Sequence, residues 1–582
     1  MSAFSRRRFV GGASATAAGA ALSLAGGTFA SAAARDSALA ATAARAVAVG
    51  GTTLEEVATP LGSGGYRRLL SGPGWPLVVR ADLAAAQAGR DGRRTGLASF
   101  VQFTDMHLCD TESPMRFEYL ARWNDAAHRP QETLTVRGAS SLVERVNEVA
   151  AGPYTGLPFS LVMATGDNTD NHEQLELDWY LTVMSGGQVT PNSGDTSRYE
   201  GVQNSGDAAY WNPESAYQDS YKAVGFPQVP GFLSAAGREF KAPGLKTPWY
   251  TTVGNHDDSI EGTLPDIGLL NSLYTGDRKI EGCDDADAAK LAGLLKSDPA
   301  AAVLLLGKLL EDAEAVREIT PDARRQPFTT KQFAQAHLNP AYTGAGPYGH
   351  GFTSDAANSG NLYYTFEISP GVLGISLDTT NAAGFADGSI GTAQLNWLEQ
   401  QLRANSDHWY DTNGKLVRGG SNSRLVVLFS HHTSTTMGNL LLDPRHFFEL
   451  RHDGNTLVAL LQRYPNVMAW VNGHTHRNQI TAHGHAVPER AFWEINTASH
   501  IDFPQHARII EVTDNGDGTL SLFTTLIESA APYGTAFDDT SDAGLASLYR
   551  ELSFNDPYAT PGAKLGTPLD HNTELLLAKP GR

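Results

Sequence analysis

Five short runs of apolar, β-branched and aromatic residues, Phe100–Phe103, Phe159–Met163, Trp249–Val253, Leu425–Phe429 and Val467–Val471, each stop within a few residues at a polar segment containing Gly, Asn, Asp or His. Runs of this length with such ends predict buried strands. In α/β sheets, ligands gather beyond the carboxyl ends of the strands, so the five loops that follow are expected to converge. They read Asp105-Met106-His107, Gly166-Asp167-Asn168, Gly254-Asn255-His256-Asp257, His431-His432 and Gly473-His474-Thr475-His476. Taken singly, each is an ordinary loop sequence. Their joint occurrence, in order and each after a strand, is what points to chemistry.

Helical patterns lie between the strands. Asp284–Leu294 and Pro299–Arg317 both read as helices, the second with Val303, Leu304, Leu306, Leu309 and Leu310 on one apolar stripe and Pro299 suited to a first turn. They belong to an insertion at about 258–361 that is expected to cap the site or to pack behind the sheet. An earlier insertion, about 174–246, has poor periodicity and a Gly-, Ser-, Asn-, Tyr- and Trp-rich composition expected of surface loops. Later, Phe492–Ile495, Ala507–Val512 and Thr519–Thr524 read as strands, with 514–518 as a hairpin turn.

The residue types of the five loops suit a pair of metal ions. Two ions about 3.5–4 Å apart need a bridging carboxylate, and Asp167 is the natural one. Asp105, His107 and His476 would hold one ion, and Asn255, His431 and His474 the other. This mixed N/O shell without thiolate suits Fe, Mn or Zn. The neutral amide of Asn255 supplies oxygen without adding charge, leaving the pair positive enough to bind a phosphate.

The pattern DxH, GDxx, GNHD, H, GHxH resembles the calcineurin-like metallophosphoesterase superfamily, over Phe100 to roughly Ile510. Three further segments are similar to the strand, turn and helix that precede the fourth motif in many members: Tyr363–Phe366, Gly374–Thr379 and Gln394–Glu399. The stretch Asp105–Arg116, with Ser113-Pro114, resembles a Tat-exported, uncharacterised actinobacterial subfamily. The resemblance implies an α/β, four-layer αββα sandwich and a secreted enzyme hydrolysing phosphomonoesters or phosphodiesters with a metal-bridging hydroxide. It makes His256 the general acid and Asp257 the group that orients it. It also favours His431 over His432 as ligand, leaving His432 either to support the ligands or to contact substrate. Arg116, which follows the first motif, is a candidate substrate contact because a guanidinium can meet two phosphate oxygens at once, the alternative being a salt bridge. Thr433 stands where proline is common, and Asp170 where purple acid phosphatases carry a tyrosine. The alternative from another class is a non-catalytic, metal-dependent binding or cell-surface protein, which would not need the acid His256.

The first residues bear on location. Ser5-Arg6-Arg7-Arg8-Phe9-Val10, a mildly apolar Gly11–Ala30 and Ala30-Ser31-Ala32 predict a twin-arginine signal peptide over 1–34, hence a protein carried outside the cytoplasmic membrane by the Tat machinery. Residues 35–96 are expected to wrap the core, 97–530 to form the catalytic domain with its two insertions, and 531–582 to be a tail. No later run approaches the roughly 18 apolar residues of a membrane helix, so stable membrane insertion is not expected. The formal charge of -19 on 582 residues disfavours nucleic acid and anionic lipid as partners, while a small phosphoester remains compatible. Cys109 and Cys283 permit at most one intrachain disulfide. Oligomeric state, metal identity and substrate are not readable from the sequence.

Overall fold

The computed structural model describes residues 47–581 apart from Ile267, Leu269, 312–315 and Pro561. The signal peptide expected at 1–34 lies outside the described residues.

Among the described residues, two large sheets form the frame, one of seven strands and one of six. In the first, Thr95–Phe103, Val162–Thr165 and Trp249–Thr252 run parallel. Ala507–Asp514 and Thr519–Ile527 then extend the sheet antiparallel from Thr95–Phe103. In the second, Val372–Ser376, Leu425–Phe429, Val467–Asn472 and Phe492–Asn496 are mutually parallel, with antiparallel strands at both edges.

The sequence of these strands explains the layering. Side chains alternate across a strand, so a strand covered on both faces reads as a continuous apolar run. In Leu425–Phe429, Val427 and Phe429 meet Phe100 and Met163 between the two sheets. Val426 and Leu428 face outward against Leu398, Leu402, Leu457 and Leu461 of helices Thr392–Ala404 and Gly454–Leu461. On the other side, Val101, Phe103 and Val162 pack against helices Thr135–Val149 and Gln174–Ser185. The result is helix, sheet, sheet, helix, the four-layer αββα arrangement.

The insertions depart from their sequence reading in instructive ways. Gln174–Ser185 is a regular helix, and Trp211, Tyr221 and Phe226 are buried in a cluster that includes Leu545 and Leu552 of helix Asp542–Asn555. The aromatics there are core, and a weak periodicity arises because they are covered by other loops rather than by one face. In the later insertion, helices span Asp285–Ser297 and Pro299–Leu309, capped by the carboxylates of Asp284 and Asp298. The second helix ends before Arg317, which lies in a short strand Val316–Glu318 paired with Arg278–Ile280. Leu304, expected on the buried stripe, is 77% exposed, while Val303, Leu306 and Leu309 pack onto Phe117, Leu120 and Ile260. An apolar helix has more than one face that reads as buried.

The flanking segments contribute to the same frame. Val78–Arg80 and Thr573–Ala578 complete the seven-stranded sheet, and Asp542–Asn555 packs on Thr135–Val149. Cys109 and Cys283 are free thiols, the first buried. Among the described residues no helix is long and apolar enough to cross a membrane.

Candidate metal centre

Because the strands preceding the five loops are parallel within each sheet, their carboxyl ends share an edge, and the two sheets bring those edges together. Gln102 ties them, its amide donating to Thr165 Oγ1 in its own sheet and to the Asn472 carbonyl in the other, at 2.9 and 2.8 Å. The loops are also stitched directly. The N–H of His107 donates to the Asp167 carbonyl at 2.9 Å, and that of Gly473 to the His431 carbonyl at 3.0 Å. Close packing makes the motif glycines necessary: a Cβ on Gly473 would lie 1.9 Å from Thr104 Oγ1 and 2.4 Å from Asp105 Oδ2. Asp105, His107, Asp167, His474 and His476 all have φ between 44° and 69°. Non-glycine residues adopt that left-handed region sparingly, and such strain collects at functional sites.

Seven predicted ligand side chains meet. Asp105, His107, Asp167 and His476 form one group with ligand atoms close enough to share an ion; His431 and His474 form a second, which Asn255 joins and which also includes His432, not one of the seven. Asp167 Oδ2 lies 3.0 Å from His431 Nε2 and 3.5 Å from His107 Nε2, between the two. Asn255 Oδ1 is 3.0 Å from both His431 Nε2 and His474 Nδ1. Its amide nitrogen is held by the Gly262 carbonyl at 3.0 Å, which turns the oxygen inward. Asp105 takes the His474 N–H at 3.1 Å on each oxygen and stands 3.3 Å from His476 Nε2.

The hydrogen bonds around this group define which atoms face its centre. His107 Nδ1 is paired with Asp170 Oδ1 at 2.8 Å, His476 Nδ1 with Asp502 Oδ2 at 2.6 Å, and His431 Nδ1 with the Thr165 carbonyl at 2.9 Å. Each acceptor calls for an N–H at Nδ1, so Nε2 is the atom each ring turns to the centre. The Nε2 atoms of His107 and His476 face each other at 3.2 Å. Burial opposes positive charge on the His476 ring, but Asp105 outweighs it, so the pocket between these rings and carboxylates favours a cation and the residues present fit metal ions. Burial first, and then neighbouring imidazoles, hold the His107 and His474 rings well below the ordinary histidine range, in the neutral form that ligates. Burial also lowers His431, but Asp167 and Asp105 outweigh it and raise that ring to about 9.

Asp170 and Asp502, which orient His107 and His476, are not marked by the motifs. Asp170 stands out in the sequence only by its place three residues after Asp167, and Asp502 follows no motif. For Asp170→Asn we expect metal affinity about 10–100-fold weaker, the usual effect of losing a ligand's outer partner. The melting temperature should change little, because Arg116 keeps Glu132 and Glu261. Metal titration of the purified variant checks this, and unchanged affinity would show that Asp170 does not orient His107.

The expected role of Asp257 is corrected, and for Arg116 and His432 the substrate contact gives way to the structural alternative. Asp257 does not touch the His256 ring. Its buried carboxylate accepts the N–H groups of Gly254 and Thr169 at 3.0 and 2.9 Å, the Thr169 hydroxyl at 2.9 Å and the Asn168 amide at 3.0 Å, joining two motif loops. His256 is instead oriented by the Asp170 carbonyl at Nδ1 and by its own N–H on Asp167 Oδ1 at 2.8 Å. Arg116 is fully buried and paired with Asp170, with Glu132 at 2.8 Å and with Glu261 at 3.4 Å, so its guanidinium is committed to holding the loop. His432 has both ring nitrogens engaged, with Thr379 Oγ1 at 2.8 Å and the Ala386 carbonyl at 2.9 Å. Its ring packs on His474 and supports the centre from behind.

A cavity of about 960 Å³ opens onto the group, with Asp167, Asn255, His256, His474 and His476 among its lining residues. Arg129, Lys296 and Lys564 bring positive charge to its wall, and Phe117, Leu120, Leu295, Phe385, Leu440 and Leu441 make much of the remainder apolar. Lys564 Nζ and Arg129 Nε both bond to Asp502, so one carboxylate positions two cations and His476.

No family model matches the chain, and no curated protein does. Among solved structures, the chain is similar to a dimetal phosphatase from Danio rerio at 12% identity and a TM-score of 0.32, covering 75% of this chain and all of that one. It is also similar to purple acid phosphatase PPD1 from yellow lupin (Lupinus luteus) seeds at 10% identity and a TM-score of 0.28, covering 79% of this chain and about half, 53%, of that one.

Proposed function

We propose that the protein is a two-metal phosphoesterase acting on a phosphomonoester or phosphodiester bound in the 960 Å³ cavity. The observation that carries the reading is the convergence of Asp105, His107 and His431, buried, with Asp167, Asn255, His474 and His476, which line the cavity, and the position of Asp167 between two donor groups. When bound there, two ions would supply Lewis acidity toward phosphoryl oxygens and acidify a water.

The chain's own residues do the rest. Asp170, Asp502 and the Thr165 carbonyl keep Nε2 of three histidines turned to the centre. Lys564, rather than Arg116, stands at the wall to meet phosphoryl charge, its ammonium having donors beyond the one given to Asp502. His256 lies beside the donors without belonging to the ligand set assigned above. Its Nδ1 is occupied by Asp170, so Nε2 is the atom that would pass a proton to the departing oxygen. Burial pulls that ring down to about 4 and Asp167 opposes the change, so an arriving anionic ester adds to the charge that favours its protonation. A protein that only bound metal would not need such a residue in the cavity.

The test is chelation followed by reconstitution with Fe, Mn or Zn, with turnover of 4-nitrophenyl mono- and diesters followed. We expect activity to vanish on chelation and to return as the second equivalent binds. No hydrolysis of either ester type with any of the three metals would overturn the reading.

A further inference from the structure

Exposed apolar side chains are scattered along most of this chain, as on most proteins, but six lie within one stretch of eleven residues. Leu440 is 54% exposed, Leu441 51%, Leu442 43%, Phe447 61%, Phe448 99% and Leu450 68%. The loop is held in place rather than left loose. Asn381 Nδ2 donates to the carbonyls of Asn439 and Leu441 at 3.3 and 2.9 Å, and Asn439 Nδ2 to that of Gly384 at 2.8 Å. Its arginine is paired: Arg445 meets Asp258 at 2.6 Å and the buried Asp443 at 3.0 Å. Phe447 and Phe448 meet each other edge to face at 5.6 Å. A pinned loop thus presents leucine and phenylalanine outward, with Arg445 and Asp443 engaged in ion pairs.

This patch is continuous with the cavity. Leu440 and Leu441 belong both to the exposed loop and to the wall of the cavity, which Phe117, Leu120 and Leu295 also line, so the exposed apolar loop shares residues with the cavity that opens onto the donor group. A cavity with phosphate chemistry at its floor and hydrocarbon along its walls suits a phosphoester with an aliphatic tail. Such esters reside in lipid surfaces, where an outward apolar loop also finds its counterpart. The formal charge of -19 repels an anionic surface, which leaves a neutral one.

Resting on the phosphoesterase reading, we propose that the Leu440–Leu450 loop seats in the interface of a neutral lipid surface and that the cavity takes from it a phosphoester bearing a long aliphatic chain. The probe is metal-loaded protein with phosphatidylcholine vesicles, comparing wild type with the Phe447→Ser/Phe448→Ser double variant, neither residue being part of the site. Wild type should sediment with the vesicles, and the variant's partitioning should fall by about tenfold or more, with turnover of soluble 4-nitrophenyl esters unchanged.

Dodecyl phosphate and its 4-nitrophenyl diester should be cleaved at least about tenfold faster than the butyl compounds when vesicle-borne, and the variant should lose that preference. Failure of wild type to sediment would overturn the loop's role, and equal rates on dodecyl and butyl esters would overturn the choice of substrate. A dimer that the double variant dissolves, without vesicle binding, would assign the patch to a second copy of this chain and overturn the proposal. Vesicle binding with no hydrolysis of any ester would overturn the phosphoesterase reading and the substrate with it, while upholding the seat of the loop.

Discussion

Asp167→Asn is expected to abolish stable occupancy by two ions and to lower hydrolysis by about 10³-fold or more. Asp167 Oδ2 lies within reach of both donor groups, 3.0 Å from His431 Nε2 and 3.5 Å from His107 Nε2. Its negative charge is strongly favoured there: burial opposes it, but His431 and His256 hold the carboxyl well below the ordinary range. An amide keeps an oxygen for the His256 N–H and so keeps the loop, but removes the charge that two cations would share. Metal Lewis acidity contributes several kcal/mol, and about 4 kcal/mol corresponds to about 10³ in rate. Elemental analysis of the folded variant, beside its turnover, is the check. Two retained equivalents with full activity would show that Asp167 is not the bridge.

His256→Ala should leave both ions bound and still cost about 10²–10⁴ in rate, the usual range for a positioned proton donor. The ring hydrogen-bonds through Nδ1 to the Asp170 carbonyl and packs edge-on against His107 at 4.5 Å, so its loss removes no ligand assigned to either ion. The penalty should shrink for nitrophenyl esters, whose leaving group needs little protonation, and be largest for alkyl esters. Equal losses across leaving groups would assign His256 to structure rather than to proton transfer.

The corrections to the site share one cause. Asp257 follows His256 directly, and adjacency suggested a partnership. The chain turns there so that the Asp257 carboxylate meets the Asn168 and Thr169 backbone instead, while the carbonyl of Asp170, on another loop, takes the imidazole. That Arg116 forms ion pairs rather than meeting phosphate follows from carboxylates that its place in the chain does not identify. Glu132 and Glu261 come from separate segments. Leu440–Leu442 and Phe447–Phe448 would pass for core in any apolar pattern, and it is their position on a pinned rim loop that exposes them.

What the sequence determined by itself was the layered α/β frame and which seven polar side chains the strand ends bring together. Both are encoded locally: a strand covered on both faces writes a continuous apolar run, and the loop that follows it carries the polar side chains within a few residues. What only the tertiary structure decided was which atoms those donors present and what surrounds them. Asp502 turns His476 and gathers Arg129 and Lys564 from distant parts of the chain. Hydrogen-bond partners and exposure depend on segments brought together by folding, and no local pattern records that choice.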